Sequence, residues 1–145
     1  FNIYTMRYIK RFEINENLRK DGEYYYIDNI NDESHILFPV IDILNSGLQE
    51  NIDTLLDSMY KSSDYINGIF RKNKLDNKKR KEIELIAGFL QSLQYQHEDG
   101  DLTDDQVEKF IHDIVIDGKI PIKLAIGGYN RDYDEIDNDP FDDQL

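Results

Sequence analysis

The chain contains no cysteine and no tryptophan, and only three prolines in 145 residues. Without cysteine, neither a disulfide framework nor a thiolate metal site is possible, and this composition suits a reducing compartment. No apolar run approaches the roughly 20 residues that a bilayer-spanning helix needs. The N-terminus also lacks the basic segment followed by an apolar run that marks a signal peptide. We therefore expect a cytoplasmic protein with no membrane partner.

Motifs of the common enzyme classes are also missing. The sequence holds no G-x-S-x-G pattern, no Walker A loop and no dinucleotide glycine pattern. His35, His97 and His112 fall in no zinc or base–nucleophile spacing. Asp117-x-Lys119 resembles the end of a nuclease motif, but that chemistry needs a second acid on a neighbouring strand to hold Mg²⁺. We predict a protein that is not an enzyme and that uses no cofactor.

The most pronounced feature that is present is negative charge. Thirty acidic residues against 17 basic ones give a formal net charge of −13 and a pI near 4.5. Such a charge repels nucleic acids and anionic membranes, which are polyanions, and it favours basic partners. Acidity also keeps proteins soluble, so the alternative interpretation is that this charge serves solubility alone.

The charge is unevenly distributed. Residues 21–70 hold ten acids and one base, and residues 98–145 hold fifteen acids and four bases. Residues 71–81 hold seven bases and one acid, and this run includes Lys78-Lys79-Arg80-Lys81. Such a run is typical of a nucleic-acid contact or a localisation signal, but it equally suits a solvated helix start. Because the field of the whole molecule is negative, we predict a surface connection that does not contact nucleic acid.

Alternating side chains predict strands in the first third of the chain. Apolar and aromatic residues alternate over 2–14, and 23–30 is rich in β-favouring aromatics. Asp21-Gly22 supplies turn chemistry between them. Residues 35–38 predict a short third strand, because Phe38 precedes a proline and is pushed toward extended backbone.

Helical periodicity dominates the middle of the chain. Pro39 suits the first position of a helix running to about Asn45, with Gly47 past its end. The segment 48–71 predicts a long helix, and 77–96 predicts another. The expected apolar stripe of the long helix is Leu48, Ile52, Leu55, Leu56, Met59, Tyr60, Ile66 and Phe70.

A further helix and a strand are expected near the C-terminus. Thr103 with Gln106 resembles a capping box, and Gly118 suits the end of the helix that the box would begin. Residues 120–126 predict a late strand that Pro121 would keep at a sheet edge. The fold class is therefore α+β, with an N-terminal antiparallel β-meander, three to four helices in the middle and a late edge strand.

The last segment differs from the rest of the chain. We expect residues 1–128 to form one domain and 129–145 to form an acidic tail with seven acids and one base. Composition alone predicts disorder there, while interleaved aromatics favour either partner binding or docking on the domain. The candidate partner-binding residues of this tail are Tyr129, Asp132, Tyr133, Asp134, Glu135, Asp137, Asp139 and Phe141.

Two further motifs have competing interpretations. Tyr24, Tyr25 and Tyr26 must place at least one ring on the solvent side of a strand, so they are either interface residues or a strand covered on both faces. Residues 97–108 place acids at EF-hand positions 3, 5, 9 and 12. His97 at position 1 and Leu102 at position 6 disrupt the required geometry, so we predict a helix–helix connection without a metal.

Together these features predict a binding protein. A small acidic protein can neutralise a basic, nucleic-acid-processing enzyme by presenting carboxylates where phosphates would sit. Phage anti-restriction and anti-CRISPR proteins and nuclease-toxin immunity proteins work in this general way. The link is one of composition, and no motif of those families occurs here. The alternatives are a calcium-binding or structural interaction module using 97–108, and an enzyme with an unrecognised site.

Overall fold

The sheet is built around a tight hairpin. A computed structural model describes residues 18–72 and 74–127, and within them the hairpin joins strands β1 (Arg19–Asp21) and β2 (Tyr24–Tyr26). Gly22 adopts a φ of 63°, a left-handed conformation that glycine accepts without strain. The prediction of a turn at Asp21-Gly22 is confirmed, although the strand before the turn is Arg19–Asp21. The predicted strand 2–14 lies outside the described residues.

The third strand, β3 (Lys119–Pro121), pairs antiparallel with β2 and completes the order β1-β2-β3. Backbone hydrogen bonds from Ile27 N to Gly118 O and from Ile122 N to Glu23 O extend the pairing at both ends, each at 2.9 Å. The late edge strand is therefore confirmed, but it stops at Pro121. The rest of the predicted strand 120–126 is replaced by a π-helical segment, Lys123–Gly127.

The predicted strand at residues 35–38 is wrong. His35 N and Phe38 N donate to Asp32 O and His35 O, so this stretch is a succession of turns. The Leu37 N–H also donates to the imidazole of His35 at 3.0 Å. Local acceptors therefore take the donors that a strand would offer to a sheet. Strand β2 is likewise shorter than the predicted 23–30.

Helices α1 (Phe38–Glu50) and α2 (Ile52–Lys72) follow almost without a break. Pro39 lies in the first turn of α1, as predicted, but the helix continues past Asn45 and contains Gly47. The boundary falls instead at Asn51, which has extended backbone and accepts a hydrogen bond from Thr54 N at 3.0 Å. The predicted helix 48–71 therefore begins later, because an asparagine cap separates two periodic stretches.

Helices α3 (Asn77–Glu98) and α4 (Asp104–Asp117) agree with the predictions. Asp76 caps α3 by accepting from Lys79 N at 2.8 Å. Gly118 ends α4 in a left-handed conformation, φ 65°, and a Cβ there would collide with the carbonyl of Ile27. The Asn31 side chain donates to Val115 O at 2.8 Å, so the loop after β2 covers the last carbonyls of α4.

One hydrophobic core joins the sheet to all four helices. Tyr25 and Ile120 lie opposite each other in the sheet and pack on the helical layer. The π-helical segment is held to α3 by a buried hydrogen bond from Ser92 Oγ to Leu124 O at 2.6 Å. The largest fully buried side chains are Phe89, Ile27, Leu37, Leu44, Leu55, Met59, Ile66, Ile83, Ile86, Leu90, Leu93 and Ile111.

Candidate functional site

A stripe of acids surrounds an exposed tyrosine on helix α2. Asp53, Asp57, Tyr60 and Asp64 are spaced by four, three and four residues and are all exposed, so they share one face of the helix. The opposite face, which includes Met59, enters the core. Tyr60 was expected in the apolar stripe, but it is 55% exposed. The three aspartates at helical spacing are the sequence feature that could have placed Tyr60 on the polar face.

The end of helix α3 lies beside this stripe. The Tyr60 hydroxyl donates a hydrogen bond to Glu98 Oε1 at 3.3 Å. One turn earlier on α3, Gln91 Nε2 donates to the hydroxyl of Tyr95 at 3.4 Å. Tyr95 is 45% exposed. Two solvent-accessible phenol rings and a carboxylate therefore meet where α2 and α3 come together.

The electrostatics of Tyr60 reflect this neighbourhood. The negative charge of Glu98 raises the pKa of Tyr60 above its usual value, and the hydrogen bond to Glu98 adds to the shift. Tyr95 contributes less to the same pKa. The phenol of Tyr60 is thus held in its protonated, hydrogen-bond-donating form beside an anion.

Acids continue along the chain from Glu98 into helix α4. The connection folds back, because His97 Nε2 lies 2.7 Å from Asp104 Oδ1 at the start of that helix. The Tyr60–Glu98 and His97–Asp104 contacts therefore link the acidic stripe of α2, the end of α3 and the start of α4. We call this set of exposed residues the acidic end, and its members are Asp53, Asp57, Tyr60, Asp64, Tyr95, Glu98, Asp99, Asp101, Asp104 and Asp105.

Few cations offset this charge. Lys61 Nζ pairs with Asp57 Oδ2 at 3.1 Å across one turn of α2, with both side chains more than half exposed. Within the described residues no salt bridge engages Asp64, Glu98 or Asp99. Exposed pairs such as Lys61–Asp57 contribute little energy and exchange readily. The acidic end is thus open to cations from another molecule.

The predicted helix–helix connection at 97–108 is confirmed. Thr103 caps α4 by accepting from Gln106 N, while the Gln106 side chain accepts from Thr103 N at 2.8 Å. His97 engages Asp104 rather than leaving it free. In 18–72 and 74–127, no three histidine, aspartate or glutamate side chains come together in a way that could hold a metal ion.

The two faces of the tyrosine-rich strand β2 have different surroundings. Tyr25 packs on the core, whereas Tyr24 and Tyr26 lie on the other face of the sheet. Lys119 Nζ lies 4.0 Å from the centre of the Tyr24 ring, and Arg19 Cζ lies 4.4 Å from that of Tyr26. All three rings are half-buried, and a role in partner binding remains a prediction. The predicted tail residues, from Tyr129 to Phe141, lie outside the described residues.

A separate cavity of about 300 Å³ lies between the loop after β2 and the start of α3. At its edge, His35 Nε2 lies 3.4 Å from Glu82 Oε1; the Glu82 side chain is buried and that of His35 is partly buried. Since His35 Nδ1 accepts from Leu37 N, the Nε2–H tautomer faces Glu82, and neither nitrogen is free to act as a base. Hydrogen bonds from the Ser34 backbone and hydroxyl lower the pKa of Asp32 in the same cavity.

The basic run 71–81 spans the α2–α3 connection. Lys78 and Lys79 line the cavity together with Asp76 and other carboxylates. Arg80 Cζ lies 5.9 Å from the centre of the Phe70 ring. Lys78, Lys79 and Arg80 therefore lie among acids and an aromatic ring, and the absence of nucleic-acid contact by this run stays a prediction.

No known protein family, characterised protein or solved structure matches this chain. No helix among the described residues is both long enough and apolar enough to cross a bilayer.

Proposed function

We propose that this protein binds and neutralises a basic, nucleic-acid-processing enzyme, and that the acidic end is the part of the described surface that meets it. The observation that carries the proposal is the convergence of α2, α3 and the α3–α4 connection on one surface where carboxylates flank Tyr60 and Tyr95. Carboxylates at such a surface would stand where the partner otherwise binds phosphates. Tyrosine supplies contact area that charge alone lacks.

Helix stability explains only part of this arrangement. Asp53, Asp104 and Asp105 lie in the first turns of α2 and α4, where acids stabilise the positive end of the helix dipole. Glu98 lies at the opposite, negative end of α3, where a carboxylate is unfavourable. Asp64 lies beyond the first turns of α2. Acids in these positions do not serve their own helices, which supports a role toward another molecule.

The expected interaction divides into two energetic parts. Long-range attraction between the acidic end and a basic partner raises the association rate and weakens as salt screens it. Buried aromatic anchors mainly slow dissociation. The two parts can be separated by mutation, because the carboxylates and the tyrosines of the acidic end are different residues.

The test uses a charge-neutral acidic end and a matched control. The first variant carries five amide substitutions in the acidic end: Asp57→Asn, Asp64→Asn, Glu98→Gln, Asp99→Asn and Asp101→Asn. The control makes the same change in net charge at exposed acids elsewhere: Asp21→Asn, Glu23→Gln, Glu33→Gln, Asp42→Asn and Glu84→Gln. Each protein is immobilised and used to capture proteins from the lysate of the native host.

The wild type and the control should retain a basic, nucleic-acid-processing enzyme that duplex DNA displaces, and the acidic-end variant should not. The captured enzyme should lose activity when the wild type is added in stoichiometric amount. Equal retention by the acidic-end variant, or a captured partner whose activity is unaffected, would contradict the proposal.

A further inference from the structure

We infer that Tyr60, Tyr95 and Glu98 form a binding site for a guanidinium group, so that an arginine side chain of the partner enters the acidic end at this point. This inference rests on the proposed function, because it names the chemical group through which the basic partner is held.

Four less exposed rings are covered by cations of the protein itself. Lys119 lies over Tyr24 and Arg19 over Tyr26, at 4.0 and 4.4 Å. In two further pairs, Arg80–Phe70 and Lys109–Phe110, the cation lies 5.9 Å from the ring centre. Pairing of a cation with a ring face is thus a repeated feature of this chain.

The most exposed rings lack such a cation. Tyr60 and Tyr95 are 55% and 45% exposed, and no lysine or arginine among the described residues lies over either ring. Tyr65 is also exposed, and within the described part of the chain neither a cation covers its ring nor a hydrogen bond joins it to a carboxylate. It therefore serves as a natural control for ring exposure alone.

A carboxylate completes the site at the α2–α3 junction. Glu98 Oε1 accepts the Tyr60 hydroxyl, while no described residue donates to Oε2 or forms a salt bridge with Glu98. Among the described residues, no cation competes for this oxygen. The hydrogen bonds of Tyr60 to Glu98 and of Gln91 to Tyr95 also hold both phenols in place before a ligand arrives.

Guanidinium fits these groups better than ammonium. It is planar and weakly hydrated, stacks on aromatic faces and donates in a fork that matches a carboxylate. An ammonium group is a compact, strongly hydrated charge that loses more hydration when it approaches a ring. A surface made only of carboxylates would not distinguish the two cations strongly, so a preference for arginine is the property that the tyrosines add.

The experiment compares an oligoarginine with an oligolysine peptide of equal length and charge, by calorimetry and by NMR of the tyrosine rings. We expect the wild type to bind oligoarginine about threefold or more tightly than oligolysine. The largest ring shifts should belong to Tyr60 and Tyr95. Tyr60→Leu and Tyr95→Leu should reduce the preference, whereas Tyr65→Leu should retain it.

Two further variants keep the result interpretable. Tyr60→Phe keeps the ring and should keep most of the preference, even though it loses the hydrogen bond to Glu98. Glu98→Gln should weaken oligoarginine binding while leaving the thermal melt close to that of the wild type, because the side chain is exposed.

Equal affinity for the two peptides, with no change in Tyr60→Leu and Tyr95→Leu, would overturn the guanidinium site. The proposed function would survive that result if the acidic-end variant still failed to capture the basic enzyme. Ring shifts confined to Tyr24 and Tyr26 would also overturn the site, because they would place the peptide on the sheet.

Discussion

The backbone of Gly47 in α1 lies directly against the backbone of Leu55 in α2: a Cβ at Gly47 would stand 2.7 Å from the Leu55 Cα atom. The same Cβ would stand 2.7 Å from Ser58 Oγ. A side chain can rotate away, but the Cα of a helix cannot move unless the two helices separate. This close approach explains why a glycine occupies the middle of a buried helix face.

We expect Gly47→Ala to lower the free energy of unfolding by about 1–3 kcal/mol, as overpacking of a core does. Gly68 in α2 is the matched control, because a Cβ there would meet nothing within 4 Å. Gly68→Ala should raise stability by about 0.5–1 kcal/mol through helix propensity alone. Urea denaturation of both variants checks the pair, and equal effects of the same sign would contradict the packing argument.

Two buried serines give opposite predictions. Ser92 Oγ donates to Leu124 O at 2.6 Å, whereas Ser62 Oγ is buried without a hydrogen-bond partner among the described residues. Ser92→Ala should therefore cost about 1–3 kcal/mol, because it removes the donor to a buried carbonyl. Ser62→Ala should be neutral or stabilising, since it removes a desolvated and unpaired hydroxyl. Thermal melts of the two variants, which make the same chemical change, decide the matter.

Much of the fold could be predicted from the sequence because local chemistry decides it. Thr103 with Gln106, Gly118 and the Asp21-Gly22 pair each form the cap or turn that their residue types favour. Helix α3 is found because its apolar period is long and its basic start is distinct. Pro121 correctly predicts an edge strand, since proline cannot donate to a neighbouring strand.

The remaining elements depend on contacts distant in sequence. Gly47 looks like a helix end, but packing against Leu55 keeps it inside α1. Tyr60 looks like a core residue by spacing, and only the position of α3 shows that its hydroxyl meets Glu98. Chain order gives no sign that the end of α3 lies beside the third turn of α2, so the composition of the acidic end could be foreseen but its assembly could not.

The connection between α3 and α4 should not respond to calcium. His97, at position 1 of the loop, lies 2.7 Å from Asp104, and the carbonyl of Thr103, at position 7, accepts from Val107 N at 3.0 Å, so neither is free to turn toward an ion. We expect a calorimetric Ca²⁺ titration to show no micromolar site and the melting temperature to stay constant with added Ca²⁺. One-site micromolar binding that is lost in Asp101→Asn would contradict this view.

The same connection should be sensitive to its cap. Thr103→Ala removes the acceptor for Gln106 N and should cost about 1 kcal/mol, within the range of capping residues. Thr103→Ser keeps the hydroxyl and is the control, expected to stay close to the wild type. Chemical denaturation measures both, and an equal loss in the serine variant would show that the hydroxyl is not what matters.

The ionisation of Tyr60 provides a direct measure of the acidic end in solution. Glu98 raises the pKa of Tyr60 chiefly by its charge and then by its hydrogen bond, so Glu98→Gln should lower that pKa toward the usual phenol value of about 10. Because folding raises the pKa of Tyr60, this phenol contributes to folding stability in a pH-dependent way. The contribution is complete below the pKa of Tyr60 in the unfolded chain, and it is lost as the pH rises through the pKa of Tyr60 in the folded protein. The wild type should therefore lose more stability than Glu98→Gln in strongly alkaline solution.

NMR titration of the ring signals measures the change in the Tyr60 pKa, with Glu84→Gln as the control at an exposed acid elsewhere on α3. An unchanged Tyr60 pKa in Glu98→Gln would show that the two side chains do not meet in solution, and the guanidinium site would lose its carboxylate.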